Sequence, residues 1–128
     1  MNHYTVQPPS GDKWDFKNPR HKKKLIEIVA RRDGFWCRRC GTSNALSLHH
    51  KASRGTTPPE LLLVGENSGK LYYRDDPFNL ILLCMYPDKY LYPAKNMSCH
   101  KWVEHNYNLA IKQGYRVRPI PYKQQNHS

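Results

Sequence analysis

Four cysteines and three of the histidines are the residues whose types and spacing could do chemistry in this chain. Cys37 and Cys40 form a C-x2-C pair, and Cys84 and Cys99 follow at wider spacing. Zinc takes four ligands in a tetrahedron and favours thiolate sulfur, so the pair with Cys84 and Cys99 would make a closed structural site with no open position for water. Fourteen residues separate Cys84 from Cys99, but the entropy of closing such a loop rises only slowly with its length. The competing reading is that Cys84 or Cys99 is an ordinary buried thiol. Two disulfides are the other arrangement open to four cysteines, and a reducing compartment disfavours them.

His49 and His50 are adjacent at the end of ALSLHH, and His100 directly follows Cys99. Neighbours on an extended strand point to opposite faces, so the two imidazoles cannot share one job there. If His49 and His100 hold one hydrated divalent cation, that ion can stabilise charge on a leaving phosphate oxygen. His50, on the other side, could then take a proton from water. Asn79 could accept from one ring nitrogen and leave the other as a base, or hold the loop beside the strand. Against this stands a plainer reading, with His49 and His50 as half-exposed loop residues and His100 as a cap or a solvent-facing group.

The elements that must position these groups can be read along the chain. Residues 1–17 form an arm or irregular lead-in, with Trp14 and Phe16 pinning it to the body. Asn18 caps and Pro19 opens a basic amphipathic helix over 19–32, on which Leu25, Ile28, Val29 and Arg32 fall at helical spacing and Lys22, Lys23 and Lys24 face mostly outward; Gly34 ends it. FWCRRCG reads as a zinc knuckle closed by Gly41. Leu46 and Leu48 share one face of the histidine strand. Leu61 to Val64 and Lys70 to Tyr73 flank GENSG as an inserted hairpin. NLILLC, residues 79–84, is a short apolar strand, although propensity alone would permit helix. A final helix is expected over 99–113, closed by Gly114, and YRVRPIPY adds an extended segment before a frayed end.

The chain has 128 residues and a formal charge of +11, with 21 Lys and Arg against 10 Asp and Glu. That length allows one domain and a small core, for which a metal staple is useful. The charge implies affinity for a polyanion or an anionic surface. No apolar run approaches the roughly 20 residues of a spanning helix, which argues against membrane insertion, and the first residues lack a secretory pattern. A cytoplasmic protein is expected.

The run RRDGFWCRRCG, then LHH, NLILLC and CH, resembles the HNH endonuclease family over roughly residues 31–106. The resemblance implies an α+β domain with a ββα-metal (His-Me finger) core and a structural zinc, preceded here by the basic helix. It implies one nuclease domain over 18–118 with inserts at 60–74 and 85–98, then a flexible tail over 119–128. His49 maps to the ligand of the catalytic metal, His50 to the general base, Asn79 to the motif's Asn, and His100 to the ligand at the start of the helix. Cys37, Cys40, Cys84 and Cys99 map to the structural zinc. Two departures stand out. MYPDKYLYPAKNMS separates cysteines that the family keeps two residues apart. Where some members place a further histidine one turn after His100, this chain has Glu104, with His105 next; i+4 faces His100 while i+5 turns about 140° away. Glu104 is therefore the preferred third ligand, with water as the alternative.

The implied activity is metal-dependent hydrolysis of DNA phosphodiester bonds, giving 5′-phosphate and 3′-hydroxyl ends, with nicking as one form. Magnesium is favoured, and manganese, nickel or zinc suit the same ligands. Lys22, Lys23, Lys24, Arg31, Arg32, Arg38 and Arg39 would contact the DNA backbone, or else form a solvated basic face; Arg54, Lys101, Arg116 and Arg118 could extend the surface. Tyr86, Tyr90 and Tyr92 would pack over the enlarged knuckle or stack on bases. A monomer or weak dimer is expected, and the small size resembles phage members linked to DNA packaging, with a terminase as partner. The other function class is a non-catalytic, zinc-containing DNA-binding or packaging accessory module, which has no need of the histidine set.

Overall fold

The structure is a computed structural model that describes residues 7–85 and 97–122. Helix α1 spans Pro19–Asp33, followed by strands β1 (Leu46–His50), β2 (Leu63–Val64), β3 (Leu71–Tyr72) and β4 (Leu80–Cys84), then helices α2 (Cys99–His105) and α3 (Tyr107–Lys112). The Asn18 side chain accepts from the amides of Arg20 and His21, Pro19 occupies the first turn, and Gly34 closes the helix at φ 78°. These are the capping features that the sequence carries.

β1 and β4 pair antiparallel, with His49 opposite Ile81 and His50 opposite Leu80. All five residues of β4 are buried because both of its faces are covered. Leu80 and Leu82 pack with Leu48, Leu25, Ile28 and Val29 on the α1 side. Ile81 and Leu83 pack with Val103 and Ala110 on the other. A strand covered on both faces shows no alternation of polar and apolar residues, which is why the pattern of NLILLC did not distinguish strand from helix. β1, β4 and α2 with the cysteine cluster make an arrangement compatible with a ββα-metal unit.

The lead-in is part of the core: Trp14 and Phe16 are buried against α1 and the sheet. The hairpin is shorter than expected, two residues on each strand, and GENSG closes it through Gly65 N–H to Lys70 O at 2.7 Å. Residues 119–122, expected to begin a flexible tail, instead bond to it: Val64 N–H donates to Ile120 O at 2.9 Å and Tyr122 N–H to Leu62 O at 2.9 Å. The final helix is not continuous. Asn106, at φ −123° and ψ 60°, separates α2 from α3, and its side chain donates to Trp102 O at 2.9 Å. An Asn that bonds a backbone carbonyl of the preceding turn offers the chain an alternative to helix. Among the described residues, no helix is long and apolar enough to cross a membrane. Tyr86, Tyr90 and Tyr92 lie outside the described residues.

Candidate metal centre and histidine cavity

The knuckle after α1 is a tight turn in which Gly41 N–H donates to Cys37 O at 2.9 Å and Gly41 adopts φ 83°. Arg38 N–H donates to Leu82 O at 3.0 Å, tying the knuckle to the sheet. Cys84 ends β4, and Cys99 opens α2, where Ser98 caps by accepting from Lys101 N–H at 3.1 Å. The four sulfurs come together with their ligand atoms within 4.8 Å of one another, and none is disulfide-bonded. Four thiolates at about 2.3 Å from a tetrahedral zinc stand about 3.8 Å apart; Cys40 and Cys84 Sγ are at 3.8 Å. The cluster is thus positioned to coordinate a metal, and its all-sulfur donor set supports a structural zinc. The reading of Cys84 or Cys99 as a lone core thiol does not hold.

The side-chain hydrogen bond with Cys99 lowers Cys37, to about 4, and the same bond raises Cys99 far above an ordinary thiol. Backbone amides add donors to sulfur, Cys40 N–H to Cys37 at 3.5 Å and Cys99 N–H to Cys84 at 3.3 Å. Arg39 Nη1 lies 3.4 Å from Cys99 Sγ, with its guanidinium 3.6 Å from the centre of the Trp102 ring. This places Arg39 beside the sulfur cluster rather than on an open basic face.

Because α2 starts at the cluster, His100 is carried to the α2 side of the sheet, where the alternation of β1 also directs His49. Their Nδ1 atoms are 3.3 Å apart and their rings nearly perpendicular at 87°. Two nitrogens at about 2.0–2.1 Å from one ion, subtending about 90–109°, would be about 2.8–3.4 Å apart, a range that includes this distance. Burial, then the charges of His100, Arg116 and His50, lower His49 to about 3, which keeps its ring neutral and able to donate a lone pair. His49 Nε2 is buried with no hydrogen-bond partner among the described residues. His49 is 6% exposed and His50 7%; neither is a half-exposed loop residue.

Glu104 does not join the two Nδ1 atoms. Its Oε1 lies 3.0 Å from His100 Nε2, the opposite nitrogen. Among the described residues, the only set of three or more His, Cys, Asp or Glu that could hold an ion is the four cysteines. The i+4 geometry brings Glu104 to His100 as expected, with the contact made at Nε2. His105 is exposed.

Comparison with family models, curated proteins and solved structures finds no match.

His50 faces the α1 side of the sheet. Phe16 packs edge-on against its ring at 4.8 Å, and its Nε2 lies 2.9 Å from Asp75 Oδ1. Asn79 makes no contact of this kind: its Oδ1 accepts from Ala52 N–H at 2.8 Å, and its Nδ2 donates to Ala52 O at 3.1 Å and Arg74 O at 2.8 Å. Of the two roles open to Asn79, these bonds are those of holding the loop after His50. His49, His50, His100 and Glu104 line one cavity of about 260 Å³ with Arg54 and Arg116. Arg54 and Lys22 also lie over the Phe16 ring, at 5.0 and 4.8 Å.

The basic residues named from sequence divide into two groups. Lys22, Lys23, Lys24, Arg31 and Arg38 are exposed, with Lys24 and Arg31 3.6 and 3.7 Å from Glu27. Arg32 is instead turned inward, with its Nη1 bonded to Pro77 O at 2.8 Å, its Nη2 to Leu80 O, and its Nε to Asp33 at 2.8 Å. A guanidinium held by buried carbonyls is structural, which removes Arg32 from the outward cluster. Asp75, Phe16 and the cavity position of Arg116 were not singled out as site residues from sequence. No local spacing links them to the histidines, from which they stand 16 residues or more distant along the chain.

Proposed function

We propose that this chain is a metal-dependent DNA endonuclease of the HNH kind that hydrolyses phosphodiester bonds. The observation that carries this reading is the 3.3 Å approach of the His49 and His100 Nδ1 atoms, with His50 on the opposite face of the same strand. His49 and His100 would hold a divalent cation, magnesium in the cell, with manganese, nickel or zinc able to replace it. A cation bound there supplies stabilisation of negative charge on the departing 3′ oxygen. His50 removes a proton from the attacking water, whose oxygen bonds to phosphorus as the bond to the 3′ oxygen breaks; the departing 3′ oxygen takes a proton from solvent, leaving a 5′-phosphate and a 3′-hydroxyl. Glu104 orients His100, and Asn79 holds the loop that follows the base. Arg54 and Arg116 line the cavity with positive charge against the single carboxylate of Glu104, and Lys22 lies over the Phe16 ring at its wall, which suits a polyanionic substrate. Lys23, Lys24, Arg31 and Arg38 extend contact to the DNA backbone without reading sequence.

Zinc-loaded protein incubated with supercoiled plasmid and magnesium or manganese tests the reading. Nicked or linear product is expected, and His50→Ala and His100→Ala should each lower its rate by about 10²–10⁴-fold while retaining zinc. Undiminished cutting by His50→Ala would remove the base assignment, and unchanged metal dependence in His100→Ala the ligand assignment. Binding without any cutting by the wild type would favour a zinc-containing DNA-binding module.

A further inference from the structure

Asp75 is 1% exposed and does not line the cavity that His50 lines, yet its carboxylate meets the His50 ring. We propose that Asp75 is a positioning residue that fixes His50 as its Nε2–H tautomer and leaves Nδ1 to accept the proton. This deepens the nuclease reading and rests on it.

The carboxylate is surrounded by donors. Oδ1 lies 2.9 Å from His50 Nε2 and accepts from Arg74 Nε at 2.8 Å; Oδ2 accepts from Arg74 Nη2 at 3.0 Å and from the Phe16 amide at 2.9 Å. Burial pushes the Asp75 carboxyl up, but the hydrogen bonds from His50, Arg74 and the Phe16 amide outweigh it and hold it well below the usual carboxylate range. An ionised carboxylate only accepts, so the proton in the 2.9 Å contact belongs to His50 Nε2. A neutral imidazole protonated on Nε2 has its lone pair on Nδ1. The Phe16 ring, edge-on at 4.8 Å, restrains the imidazole from a second direction. Arg74, itself 7% exposed, keeps the carboxylate ionised and aimed.

In the proposed step the water proton passes to Nδ1, the Nε2 proton stays, and the imidazolium that forms lies against an anion. Asp75 is not itself protonated. A carboxylate in this relation to a general base sets the tautomer and stabilises the charged ring.

The test uses the full-length, zinc-loaded protein labelled with 15N-histidine. Long-range 15N–1H correlation spectra should show wild-type His50 protonated at Nε2, and Asp75→Asn should lose that fixed tautomer. Single-turnover plasmid nicking by Asp75→Asn should fall about 10²–10⁴-fold with zinc content unchanged. Because Asp75→Asn leaves the Arg74 guanidinium buried without its carboxylate, Asp75→Asn combined with Arg74→Met removes both charges and should show the same loss. Wild-type His50 protonated at Nδ1, or nicking within about threefold of wild type by either folded variant, would overturn the proposal. If neither variant folds, the wild-type tautomer decides alone. A wild type that never cuts refutes the nuclease reading and the role of Asp75 with it, whereas an active wild type with an equally active variant removes Asp75 alone.

Discussion

Replacing Asn79 by alanine separates a chemical role for this residue from a positional one. Asn79 is 1% exposed, and its amide satisfies the N–H and the carbonyl of Ala52 and the carbonyl of Arg74. Asn79→Ala would leave three backbone groups of buried residues without these partners. Each buried polar group left unpaired costs about 1–3 kcal/mol, and water entering the space left by the amide recovers part of this. The expected loss is about 3–5 kcal/mol, a large share of the roughly 5–15 kcal/mol that holds a domain folded. At this chain length it corresponds to a fall of roughly 10–20 °C in Tm. Urea and thermal unfolding of zinc-loaded wild type and variant measure it, beside plasmid nicking well below the variant's Tm. A variant that loses nicking with under about 1 kcal/mol of stability lost would refute the loop-holding role and return Asn79 to the chemistry.

Four further outcomes follow from the structure. The chain should bind one zinc through Cys37, Cys40, Cys84 and Cys99, and Cys84→Ala or a strong chelator should abolish it and cost several kcal/mol, on the order expected when α2 loses its metal tie to β4; elemental analysis and thermal unfolding check this, and acidification should release the metal because protons compete for thiolate. The Asp75 carboxyl, held below its unfolded value of about 3.9, contributes stability that is fully present above that value and lost as pH falls through the folded one. Urea unfolding between about pH 5 and pH 3 should therefore show a shallower acid loss in Asp75→Asn. Arg32→Ala should destabilise by about 2–4 kcal/mol, because Pro77 O, Leu80 O and Asp33 lose a charged donor, with little change in the salt dependence of DNA binding. Lys23→Ala should do the reverse, reducing the slope of log K against log salt by about 1 without loss of Tm.

What the sequence determined by itself was mostly local. The Asn18 cap, Pro19 and Gly34 delimit α1 because a helix end is satisfied by residues next to it. The C-x2-C turn, the shared face of Leu46 and Leu48, and the division of His49 from His50 to opposite faces follow from periods of two and from short turns. The i+4 relation of His100 and Glu104 was equally legible, although not which imidazole nitrogen the carboxylate would engage.

Tertiary structure decided the rest, because the deciding contacts join residues far apart in the chain. Asp75 reaches His50 across 25 positions, Phe16 reaches Asp75 across 59, and Cys99 returns to the knuckle through a segment whose sequence does not state where it leads. Arg32 looked like its neighbours on the basic helix until the carbonyls of Pro77 and Leu80 claimed it. The break at Asn106 arose from a side chain competing for a carbonyl within the helix, a balance that propensity leaves open. Periodicity assigns a residue to a face; only the folded chain sets what that face meets.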